Sequence, residues 1–121
     1  MARCKADGFS VVVDVLDRSG EPIVMLRGDD TRPHHLDSAR RKAYTALTFR
    51  IPSGDLRALI EKDPSAAPLA TMTGVIALGG GLPIKRGDEV VAAIGVAGAP
   101  ASEKDAICAQ AGRDSIAAEL N

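Results

Sequence analysis

Alternation and periodicity divide the chain into a few clear segments. Phe9–Asp17 (FSVVVDVLD) and Glu21–Arg27 (EPIVMLR) are rich in β-branched residues, and Asp17–Gly20 (DRSG) between them has turn chemistry. Together they predict a β-hairpin. Within the first strand, Asp14 is expected to face outward or to pair with a polar neighbour. From Asp37 to Phe49 the period changes to that of a helix, with Ala39, Ala43, Ala46 and Leu47 on one face. Ile51-Pro52-Ser53 breaks this helix. Ser53 is positioned to cap a second, Gly54–Lys62, which would bury Leu56, Leu59 and Ile60. The two prolines of Asp63–Pro68 mark a loop. Gly74–Leu78 (GVIAL) predicts a third strand, followed by the triple Gly79-Gly80-Gly81.

The second half continues in the same manner. Leu82–Lys85 reads as a short strand, Arg86-Gly87-Asp88 as a tight turn and Glu89–Val96 as a buried strand closed by Gly98 and Pro100. Gly95, inside that strand, implies close approach of another backbone or of a ligand. Ser102 can cap a last helix reaching Leu120, with Asp105 three residues on as a near-match to a capping box. Gly112 in its middle suggests a close crossing with another helix. Met1–Gly8 reads as the last turn of a helix. Neighbouring strands joined by hairpins favour α+β over a doubly wound parallel sheet.

Composition narrows the possibilities. One domain over residues 1–121 suits the length, and aromatics are only 2% of it, so the core must be Val, Ile, Leu and Ala. With 15 basic and 16 acidic residues there is no global pull toward nucleic acid or an anionic membrane, and no segment is long and apolar enough to span one. Cys4 and Cys108 make neither a disulfide framework nor a zinc site, and Cys108 reads as a small buried side chain. No apolar run of signal-peptide length precedes Phe9, which predicts a cytoplasmic protein.

Chemistry-bearing residues are few. His34 and His35 end a polar loop but lack further metal ligands nearby, although one axial iron ligand needs only one histidine. Arg40, Arg41 and Lys42 form a basic cluster, either a solvated helix face or an anion site. Gly79–Gly81 is no dinucleotide fingerprint, because Leu82-Pro83-Ile84 follows instead of a helix. No nucleophile–base–orienter set is evident.

Four motifs in order carry a resemblance: VDVLDRSGEPIV (Val13–Val24), DSARRKAYTALTF, GGGLPI, and G-V-x-G-A-P followed by E-K-D-x-x-C-A-x-A-G. The chain resembles the GlcG/HbpS-like family, also found as the C-terminal domain of PduO-type proteins, over roughly residues 9 to 120. Family members carry a longer N-terminal helix, here largely absent. The resemblance implies a profilin-like fold, an antiparallel sheet of about five strands with helices on it, and assembly into homo-oligomers. It also implies a small-molecule ligand: haem, or a related tetrapyrrole, with corrinoid metabolism in the PduO-type arrangement. Carried over, the site comprises Arg32, His34, His35, Lys42, Thr45, Gly80, Gly81, Leu82, Pro83, Lys104 and Asp105. His34 or His35 is the candidate iron ligand, and Arg32, Lys42 or Lys104 would meet carboxylates. The competing reading is an enzyme or accessory subunit acting on a small carboxylate in a catabolic pathway, with Asp105, His34 or His35 moving a proton. A third is a structural module whose pocket is filled by its own side chains.

Overall fold

The structure is a computed structural model and describes residues 1–120. Its elements in order are α1 (Ala2–Ala6), β1 (Val12–Leu16), β2 (Pro22–Arg27), α2 (Pro33–Phe49), α3 (Ser53–Lys62), β3 (Gly81–Arg86), β4 (Glu89–Ala97) and α4 (Ser102–Ser115). Two 3-10 stretches, Pro64–Thr71 and Ala117–Leu120, follow α3 and α4. The fold is α+β. Four strands form one antiparallel sheet in the order β2-β1-β4-β3.

The predicted hairpin is present, and its turn is held by Asp17. Its carboxylate accepts from the Ser19 hydroxyl and from the Glu21 and Ser19 N–H groups, which in that order hold the Asp17 carboxyl below its ordinary range. The predicted strand Gly74–Leu78 does not join the sheet. Its polar groups are instead met by helix side chains: Ile76 N–H donates to Thr45 Oγ1, and Leu78 C=O accepts from Ser53 Oγ. The sheet therefore has four strands, not five.

The sheet has helices on both faces. On one, Val13, Leu82, Ile84, Ile94 and Val96 meet Cys108 and Ala109 of α4. The other face is lined by Leu16 and Ala93 against Ala43 and Ala46, and by Val12 and Ala97 against Ala39, all from α2. An alanine face lets α2 lie very close to the strands. A methyl group added at Gly95 would strike the Ala39 carbonyl, and one at Gly81 the Lys42 carbonyl. Gly95 thus marks an approaching backbone. Gly112 faces Ile94 of the sheet, not another helix.

Helix α2 begins at Pro33, four residues before the expected Asp37, because proline suits the first turn of a helix. Ser102 and Ser53 do not act as caps: both lie inside their helices, and neither helix has a side-chain cap. Of the expected apolar face of α3, Leu56 is buried and Leu59 is exposed. Helix α4 stops at Ser115.

Cys4 and Cys108 form a disulfide across 104 residues, with Cα atoms 5.6 Å apart, tying α1 to α4. Sequence spacing carried no sign of this bond. Asp14 also departs from expectation. It is fully buried, and neither carboxylate oxygen has a hydrogen-bond partner.

Candidate functional site

The predicted site residues separate into a buried network and an exposed rim. The network starts with Lys42, which turns inward from α2. Its Nζ donates to Val96 C=O (3.0 Å) and to Asp105 Oδ2 (2.9 Å), and the ion pair is almost wholly buried. The other Asp105 oxygen accepts from Ala99 N–H at 2.9 Å. Gly80, at φ 124°, leaves the gap through which this contact is made: a methyl there would lie 2.9 Å from Lys42 Cδ and 3.1 Å from Asp105 Cβ. Thr45 is equally occupied, donating to Arg41 C=O at 2.7 Å and accepting from Ile76 N–H. Leu82 is a core side chain on β3, and the Pro83 carbonyl accepts from Arg113.

These polar atoms are satisfied within the protein, so Lys42, Thr45 and Asp105 present nothing to a carboxylate ligand. Gly80 and Gly81 admit the Lys42 side chain and the α2 backbone. A concavity of about 470 Å³ does run past Gly79–Leu82 to Ser102 and Glu103, but no histidine lines it. The basic cluster divides likewise: Arg41 pairs with Asp37 at 2.8 Å, Arg40 is exposed and Lys42 is internal.

The rim lies where β1 begins and α2 and α4 start. His35 is in the first turn of α2, and its Nδ1 accepts from Arg32 N–H at 3.1 Å, as a capping side chain does. The neutral ring therefore carries its proton on Nε2 and has no lone pair left for a metal. Burial pushes the His35 pKa down, the neighbouring His34 adds to this, and Asp105 opposes it. His34 is exposed, with its ring centroid 4.2 Å from that of His35. Its side chain makes no hydrogen bond among the described residues. Across the rim, the Lys104 ammonium stands 5.0 Å from the centre of the Phe9 ring. Gly98 joins the two sides, since a methyl there would meet Ser10 C=O at 2.8 Å and His35 Nδ1 at 3.5 Å. Phe9 and Ser10 also line a concavity of about 500 Å³ that reaches Lys5. Phe9 was not among the predicted site residues. As one of two phenylalanines in a chain poor in aromatics, next to the first strand, it was the available signal.

The molecule is thus a four-stranded antiparallel α+β domain with His34, His35 and Lys104 near the end where α2 and α4 start. Residues 1–114 match the family described as haem degrading protein HbpS-like, and the chain belongs to that family. A double mutant of HbpS from Streptomyces reticuli is 38% identical, with a TM-score of 0.88 over 95% of this chain and 77% of that one. The Klebsiella pneumoniae protein ORFY, assigned to DUF336, is 26% identical, with a TM-score of 0.90 over 97% of this chain and 81% of that one. PduOC, solved as a haem complex, shares the fold at 24% identity and a TM-score of 0.88, over 95% of this chain and 84% of that one.

Proposed function

We propose that this protein binds haem or a related tetrapyrrole at the end of the molecule formed by Phe9, Arg32, His34 and Lys104. Membership of the HbpS-like family supports haem as the ligand class, and the same fold holds haem in PduOC. The observations that carry the site are an exposed His34 at the start of α2 and, separately, the Lys104 ammonium over the Phe9 ring. His34 offers an imidazole nitrogen to iron, Phe9 offers an apolar face to the macrocycle, and Lys104, Lys5 and Arg32 offer charge to propionates. His35 acts through α2, fixing the helix start that presents its neighbour. Haem would supply the redox-active iron; these side chains bind and orient it.

An enzyme acting on a small carboxylate has less support, because both Asp105 oxygens and the Lys42 ammonium are already engaged. No helix among the described residues is long and apolar enough to cross a membrane. A disulfide persists where thiols are kept oxidised, so the cytoplasmic expectation is not carried forward.

Titration of the whole chain with hemin, followed by absorption, tests the site. Saturable binding is expected, weakened both by Phe9→Ala and by Lys104→Glu. An absence of saturable binding, or binding by both variants unchanged from wild type, would overturn it.

A further inference from the structure

The Cys4–Cys108 disulfide joins the two segments that carry the Phe9 ring and the Lys104 ammonium. On α4, Lys104 and Cys108 are four residues apart and so stand one above the other on the same face. On the other side, the Phe9 N–H donates to Cys4 C=O at 2.8 Å, and the Phe9 ring packs on the core cluster that holds both cysteines. The bond thus helps to fix the 5.0 Å between ring and ammonium. It also holds one side of the neighbouring concavity, which Met1, Ala2 and Lys5 line together with Phe9 and Arg27.

Little else anchors α1. It has five residues, well below the length at which a helix is stable alone. Cys4 is buried, Ala2, Arg3, Lys5 and Ala6 are exposed, and the helix packs chiefly on α4. The Arg3–Asp7 ion pair lies within the segment and does not fasten it to the rest. Gly8 follows at φ 84° in open space, so the backbone there has room to turn. The sulfurs themselves are shielded, Cys4 being 0% and Cys108 3% exposed. A reductant therefore reaches them when α1 opens locally.

We propose that the Cys4–Cys108 bond is a redox switch on the ligand site: the oxidised protein holds Phe9 against Lys104 and binds, and the reduced protein releases α1 with Phe9 and binds weakly. The inference rests on the haem-site reading above and adds what controls that site. The reductant is a dithiol. One of its thiolates attacks a sulfur of the bond, forms a mixed disulfide and expels the other cysteine as a thiolate. Its second thiolate then displaces the remaining cysteine. The protein gains two electrons and two protons as two thiols, and the dithiol leaves as its own disulfide. With the bond gone, a five-residue helix and one ring contact are left to hold the segment in place.

Backbone hydrogen exchange and hemin titration together test the switch. In the variant Cys4→Ser/Cys108→Ser, which needs no reductant, the Phe9 amide should exchange close to the rate of an unstructured chain. Amides of β1, which lies between β2 and β4, should stay protected and show that the fold persists. Wild type treated with a dithiol should behave in the same way and regain Phe9 protection on reoxidation. Hemin should bind the disulfide-free variant about tenfold more weakly than oxidised wild type. Lys104→Gln should weaken binding by the oxidised protein and change little in the disulfide-free one, where the contact is already lost. A Phe9 amide equally protected with and without the bond would overturn the switch. So would equal hemin affinity of the two forms. Oxidised wild type that binds no hemin would overturn the haem reading, and the switch with it, whatever Phe9 exchange shows.

Discussion

The Lys42 ammonium, carried on α2, lies 2.9 Å from the Asp105 carboxylate on α4 and joins the helices on opposite faces of the sheet. The pair lies beneath the rim that carries His35, and Asp105 also fixes the Ala99 N–H at the turn after β4. The pair ties α2, α4 and the end of β4 together.

Removing one partner leaves the other charge buried and alone. Lys42→Met or Asp105→Asn should each cost about 3–5 kcal/mol in chemical denaturation. The double variant should be less destabilised than the sum of the two by about 1–3 kcal/mol, because only the single variants strand a charge. Strict additivity would show that the two groups are not coupled.

The glycines under α2 should be intolerant. Gly95→Ala drives a methyl into the Ala39 carbonyl, so α2 must lift from the sheet, at a cost expected to exceed about 3 kcal/mol. Gly87→Ala meets open space, and only its φ of 63° opposes the change. It should cost about 1 kcal/mol. Equal melting shifts for the two variants would contradict close contact between α2 and β4.

Asp14 should make stability fall with rising pH. Burial raises its pKa above the ordinary 3.8, while Arg40 pulls the other way. The native state thus holds the proton more tightly than the unfolded chain. That contribution is complete below 3.8 and is lost as pH rises through the raised value. At pH 7, Asp14→Val should stabilise the protein by about 1–3 kcal/mol and remove this slope. A destabilised variant would show that the carboxylate has a partner in solution.

Reduction should weaken the whole fold, since the disulfide spans 104 residues of sequence. Loss of the bond, by reductant or by Cys4→Ser, should lower unfolding stability by about 2–5 kcal/mol. Identical denaturation midpoints with and without reductant would contradict this.

The hairpin was legible because Asp17-Arg18-Ser19-Gly20 is local turn chemistry between β-branched runs, and the α2 face was legible from its alanine spacing. Gly74–Leu78 has a strand's composition, but Thr45 and Ser53 take up its backbone groups, and no local pattern announces that. Pro33 reads as a helix breaker inside a loop and as a favoured residue at the first helical position. The two readings separate only once the helix start is seen. Lys42 sits in a basic run that looks solvated, and its partner lies 63 residues away. The division of the site into engaged and available groups depends on such distant contacts. The four motifs could point to the family without revealing which side chains were already occupied.

The account turns on His34 and not His35 presenting a nitrogen to iron, and the ferric absorption spectrum of the hemin-loaded protein tests this most directly. Wild type and His35→Ala should share one shifted Soret band, the latter losing about 1 kcal/mol of stability with its helix cap, while His34→Ala should lose that band. A wild-type spectrum matching free hemin, or an unchanged band in His34→Ala, would contradict the account.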